Sequence, residues 1–119
     1  MKVLVVDDDA NVRSALRLLL SSQMGIEAIE EAASAEDMVR VAALQRPAVV
    51  LLDLDLPRLR PGLVDEVRAR SPGVRIIGMS SRSEPRQPAP AEVDAVIDKM
   101  YGPAELRAAL AATDGSQAP

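Results

Sequence analysis

Ala48-Val49-Val50-Leu51-Leu52-Asp53-Leu54-Asp55-Leu56-Pro57 is the stretch that decides the fold. Its first five residues are apolar without interruption. That pattern marks a strand buried on both faces, not the alternation of a half-exposed one. Asp53 ends the run, and Pro57 and Pro61 mark a loop beyond it. A strand covered on both faces needs helices on both sides of its sheet. Upstream, Ser34 and Asp37 have capping-box spacing, and Met38, Val41, Ala42 and Leu44 give a helix that Pro47 ends. Downstream, Leu63, Val64 and Val67 give another, up to Ser71-Pro72-Gly73.

The alternation continues in both directions. Val3 to Val6 is a continuous apolar run stopped by Asp7-Asp8-Asp9. Val12, Leu16, Leu19 and Leu20 predict an amphipathic helix over about 10–22, with Gly25 as its C-cap. Ile26 to Ala32 reads as a second strand, Val74 to Met79 as a fourth and Val93 to Ile97 as a fifth. Pro103 suits the first position of a last helix burying Leu106, Ala109 and Leu110. Pro85, Pro88 and Pro90 occupy the place of a helix between strands four and five. Proline inside a helix costs about 3 kcal/mol, so that helix is expected to be shortened or replaced by a loop. Strands alternating with helices predict an α/β fold with a doubly wound parallel sheet.

The chain has 119 residues, the size of one domain. Residues 1–112 are read as that domain and 113–119 as a polar tail or the start of a linker. Cys and His are absent, which excludes disulfides, thiol or imidazole nucleophiles and soft metal sites. A metal held here would be a hard cation bound by oxygen, such as Mg²⁺ or Ca²⁺. The net charge of −4 argues against bulk electrostatic binding of nucleic acid. No apolar run reaches the roughly 18 residues of a membrane span. Residues 1–6 are too short for a signal peptide, so a cytoplasmic domain is expected.

In an open parallel sheet, ligands bind at the carboxyl ends of the strands. Those ends carry Asp7, Asp8 and Asp9, then Asp53, Ser80 and Lys99. Converging carboxylates repel unless a cation neutralises them, and a few carboxylates suit Mg²⁺. A carboxylate beside a cation can attack phosphorus, with Lys99 and the Ser80 hydroxyl holding phosphoryl oxygens. Asp9 is read as a helix N-cap and not a ligand.

Val5-Val6-Asp7-Asp8, Val50 to Pro57, Met79-Ser80 and Asp98-Lys99 occur in this order and spacing. With them, residues 1 to about 112 resemble the receiver domain of two-component response regulators. The stretch Gly25–Ala32 and the short loop before strand two are similar to the subfamily with a helix-turn-helix output domain. The resemblance implies a flavodoxin-like sheet of order 2-1-3-4-5. It implies that Asp53 accepts the phosphoryl group and that Mg²⁺ is held by Asp7, Asp8, Asp53 and the backbone carbonyl of Asp55. Ser80 and Lys99 would bind the phosphoryl oxygens. The donor would be a phosphohistidine on a sensor histidine kinase, and the effect would pass to an output domain or partner protein. The domain would be a switch and not a turnover enzyme, without direct nucleic-acid or membrane binding, and with homodimerisation left open.

The chain also departs from the family. Met100 stands where a cis-proline usually follows the lysine. A cis bond before a non-proline costs about 2.5–4 kcal/mol, so a trans bond is expected. Val96 stands at the position of the family's switch aromatic, and Tyr101 is read as a packing residue. The loop Arg58-Leu59-Arg60-Pro61-Gly62 lacks the usual offsets of glycine and acid. Arg82 and Asp55 flank the site and are read as a pair that hinders water. Arg58, Arg60, Arg82 and Arg86 read as a solvated face, with an anion-steering patch as the alternative. These departures favour a second reading, a receiver-fold interaction module that acts without phosphorylation. A third, an aspartyl-phosphate phosphohydrolase, takes Asp53-Leu54-Asp55 as a nucleophile and acid. It is disfavoured because the motif follows strand three and no cap domain exists.

Overall fold

Strand β3, Val49–Asp53, is buried at every residue and lies at the centre of a five-stranded sheet. The computed structural model describes residues 1–80, 93–98 and 103–111, with side chains from 106 onward in the last helix. The other strands are β1 Lys2–Val6, β2 Ala28–Ala32, β4 Arg75–Ser80 and β5 Ala95–Asp98. Their order is β2-β1-β3-β4-β5 and every neighbouring pair is parallel. This is the expected flavodoxin-like doubly wound sheet. The helices are α1 Ala10–Ser21, α2 Ala35–Gln45, α3 Pro61–Arg70 and α4 Pro103–Ala111.

Successive strand residues point to opposite faces, and this divides the core in two. Val3, Val5, Val49, Leu51, Ile77 and Met79 pack with Leu16 and Leu20 of α1 and Leu106 and Leu110 of α4. Leu4, Val6, Val50, Leu52 and Ile76 pack with Met38, Val41 and Ala42 of α2 and Leu63, Val64 and Val67 of α3. Both phases of each central strand are therefore apolar, which is why the sequence runs are continuous.

Element ends follow local chemistry. Asp9 caps α1 by accepting from the Asn11 amide, and Ser34 caps α2 by accepting from the Asp37 amide. Gly25 is not the C-cap of α1. Ser22 takes that place, and Gly25 supplies a positive φ of 89° in the turn beyond it. Strand β2 begins at Ala28 and not Ile26, because β1 begins at Lys2 and pairs with Ala28. Pro61 opens α3, where its missing N–H is no loss. Strand β5 begins two residues later than its apolar run. Asp94 precedes it, accepting from the Ile76 amide at 2.7 Å and from Arg68 at 3.3 Å.

The stretch 81–92, where a loop is expected in place of a helix, lies outside the described residues. So do residues 99–102, with Lys99, Met100 and Tyr101, and residues 112–119, which include the tail expected at 113–119. Among the described residues no helix is long and apolar enough to cross a membrane.

Candidate functional site

β1 and β3 are neighbours in register, Val6 beside Leu52, so the next residue of each reaches the carboxyl edge together. Those residues are Asp7, fully buried, and Asp53, only 2% exposed. Asp8 follows and is exposed. One carboxylate oxygen from each of Asp7, Asp8 and Asp53 lies within 4.8 Å of the others. Three hard oxygen donors so close repel one another, and a small divalent cation neutralises them. The donor set fits Mg²⁺ and would suit soft metals poorly.

Backbone amides fix these carboxylates. The Asp9 amide donates to Asp7 Oδ1 at 2.9 Å, and the Asp55 amide donates to Asp53 Oδ1 at 2.9 Å. Asp9 itself turns away to cap α1, as the sequence suggests. The chain beyond Asp53 is held by Leu54 N–H on the Met79 carbonyl, at 2.9 Å, and Leu56 N–H on the Asp53 carbonyl, at 3.2 Å. Asp53 pairs in register with Met79, which brings half-buried Ser80 to the same edge. Asp55 is half-buried in the loop after β3. Asp98, paired in register with Ser80, ends β5 and is exposed. Lys99 lies outside the described residues.

Three features near the site went unread in the sequence. Gly78 lies on the face of β4 that carries Ile76, and the Leu54 side chain fills the space its side chain would take. A Cβ at Gly78 would meet Leu54 at 2.7 Å. Arg58, in the loop after Asp53, has φ 65°, a conformation that favours glycine. The third is a charge cluster on the β2 side. Arg13 and Arg17 of α1 both hold Glu31 of β2, with Nε to carboxylate distances of 2.9 Å each. Arg13 also donates to the Asp7 carbonyl at 2.7 Å. Burial pushes the Glu31 carboxyl up, but hydrogen bonds from Arg17 and Arg13, with their charges, outweigh this and hold it below its ordinary value. A sequence signal existed. Arginines at i and i+4 share one helix face and repel unless an acid lies between them.

A separate cleft of about 700 Å³ lies at the other end of the sheet, between Lys2, Gln45, Pro47 and Pro72. Its lining includes one carboxylate, Glu27, together with Lys2, Gln45, Arg46 and Ser71, and among the described residues it brings no cluster of acids together. The reactive groups are at the carboxyl edge.

The family model for the response regulator receiver domain matches residues 3–111. A protein-glutamate methylesterase/protein-glutamine glutaminase of Myxococcus xanthus is 37% identical over 87 residues, 72% of this chain and 24% of that protein. An uncharacterised transcriptional regulatory protein of Bacillus subtilis is 32% identical over 93 residues, 76% of this chain and 43% of that protein. The chain thus spans no more than 43% of either relative. Among solved structures, the receiver domain of a sensor histidine kinase from Pseudomonas aeruginosa superposes with a TM-score of 0.82 at 26% identity. It covers 97% of this chain and 98% of that one, and holds a magnesium ion in its active-site cleft.

Proposed function

Because the chain belongs to the response regulator receiver domain family, we propose that it is the phosphoryl-accepting switch of a two-component system, modified on Asp53 by a sensor histidine kinase. The observation that carries this reading is the meeting of Asp7, Asp8 and Asp53 at one sheet edge, two of them buried.

In this reading Asp7, Asp8, Asp53 and the Asp55 backbone carbonyl hold Mg²⁺. When bound, the ion neutralises the acids and the charge on the phosphoryl oxygens. A carboxylate oxygen of Asp53 attacks phosphorus. The Asp55 amide on Oδ1 fixes the rotation of that carboxylate. The new O–P bond forms as the bond from phosphorus to the donor's leaving atom breaks, and the leaving group keeps the electron pair. Ser80 donates its hydroxyl proton in a hydrogen bond to one phosphoryl oxygen, and the Lys99 ammonium pairs with another. Burial of Asp53 limits the access of water to the acyl phosphate. The 119 residues contain no His, so a phosphohistidine donor lies outside this stretch of sequence. The signal then passes to an output domain or partner, of which the methylesterase and the transcriptional regulator are two kinds among the relatives.

The test is intact mass after incubation with Mg²⁺ and acetyl phosphate. The wild-type chain is expected to gain one phosphoryl group. Asp53→Ala, and the wild-type chain in EDTA, are expected to gain none. Mg²⁺ binding without any gain in mass would overturn phosphorylation by small donors. It would favour the phosphorylation-independent module, to which Met100 and the 60% exposed Val96 point.

A further inference from the structure

Of the three clustered carboxylates, Asp7 and Asp53 are buried and each accepts a backbone amide. Asp8 is exposed. Its direction is therefore set mainly by the backbone that carries it. A peptide unit is planar, so the Asp7 carbonyl and the Asp8 amide share one rigid plane. The Asp7 amide donates to the Ala32 carbonyl of β2 at 3.1 Å. The Asp7 carbonyl accepts from Arg13 at 2.7 Å. We propose that Arg13, anchored by Glu31, is a positioning residue for the cation site, fixing the Asp7–Asp8 peptide plane so that the Asp8 carboxylate faces Asp7 and Asp53.

The anchor is built to hold. Arg13 is 18% exposed and places Nε on one oxygen of Glu31, while Arg17 takes the other. Arg17 also donates to the Ile29 carbonyl at 3.0 Å, tying the same arginine pair to the β2 backbone. A guanidinium next to a cation site would by itself oppose the cation. Glu31 cancels one of the two arginine charges, so that Arg13 acts as a hydrogen-bond donor more than as a repelling charge. Positioning and repulsion predict opposite signs, and this makes the role testable. The inference rests on the Mg²⁺ site proposed above.

The experiment is calorimetric titration of Mg²⁺ into the full chain, for wild type, Arg13→Ala and Arg13→Lys. It is paired with the Mg²⁺ concentration that half-saturates phosphorylation by acetyl phosphate, and with urea unfolding in EDTA. Arg13→Ala is expected to weaken Mg²⁺ binding about tenfold, the lower end of the effect of losing a group that orients a metal ligand. The half-saturating Mg²⁺ should rise by the same factor, with the rate at saturating Mg²⁺ retained. Arg13→Lys keeps a donor but loses the fork to Glu31, and is expected to fall between the two. It also serves if Arg13→Ala does not fold. Unchanged affinity in both variants would overturn the role, as would a shift confined to unfolding in EDTA. Tighter binding in Arg13→Ala would overturn it in favour of plain repulsion. A wild-type chain that binds no Mg²⁺ would overturn the cation site itself and the role of Arg13 with it, a result distinct from the others.

Discussion

Asp53→Asn is expected to be more stable than the wild-type chain when divalent cations are absent. Asp53 is 2% exposed and its carboxylate shares a 4.8 Å cluster with those of Asp7 and Asp8. Like charges at this separation interact by on the order of 1–4 kcal/mol between the surface and aqueous limits. Asn removes one charge and keeps the Oδ1 that accepts from the Asp55 amide. The expected gain is about 1–3 kcal/mol in EDTA, read as a higher urea midpoint with an unchanged slope. Mg²⁺ should reverse the order. A ligand at a hundred times its Kd stabilises by about 2.7 kcal/mol, and the wild-type chain should receive most of this while Asp53→Asn receives little. Destabilisation in EDTA together with an undiminished response to Mg²⁺ would show that Asp53 is not part of a shared cation site.

Leu51→Ala is expected to have the largest effect on stability. Leu51 is fully buried on β3 and packs toward α1 and α4 with Val3, Val5 and Ile77. Truncation of such a leucine costs about 2–5 kcal/mol, because part of the cavity stays open. A domain of this size has about 5–15 kcal/mol in total. The urea midpoint should therefore fall sharply. Leu44, on α2, is 68% exposed, and Leu44→Ala should move it by less than about 0.5 kcal/mol. Equal effects of the two substitutions would contradict the buried central strand.

The order of elements was legible because both phases of β1 and β3 are apolar. Only helices on both faces satisfy such strands, and parallel connection then places Asp7, Asp53 and Ser80 at one edge. What periodicity could not give was the start of each strand. Ile26 is apolar yet precedes β2, because β1 offers it no partner until Lys2 pairs with Ala28. Val93 precedes β5 for a different reason, since Asp94 takes the hydrogen bonds that would continue the strand. Gly78 and Leu54 are twenty-four positions apart and exchange volume only across adjacent strands. The Arg13 and Arg17 spacing hints at an acid between them, but the bond from Arg13 to the Asp7 carbonyl leaves no trace in the sequence, because every residue has a carbonyl. The acidic cluster was readable, being made of side chains at strand ends.

Trapping the acyl phosphate in place tests the central claim most directly. Borohydride reduces an aspartyl phosphate to the alcohol, converting that side chain to homoserine. The wild-type chain, treated with Mg²⁺ and acetyl phosphate, reduced and digested, should carry homoserine at position 53 and aspartate at 7, 8 and 55. Reduction at Asp7, Asp8 or Asp55, or a phosphorylated chain with Asp53 intact, would contradict Asp53 as the acceptor.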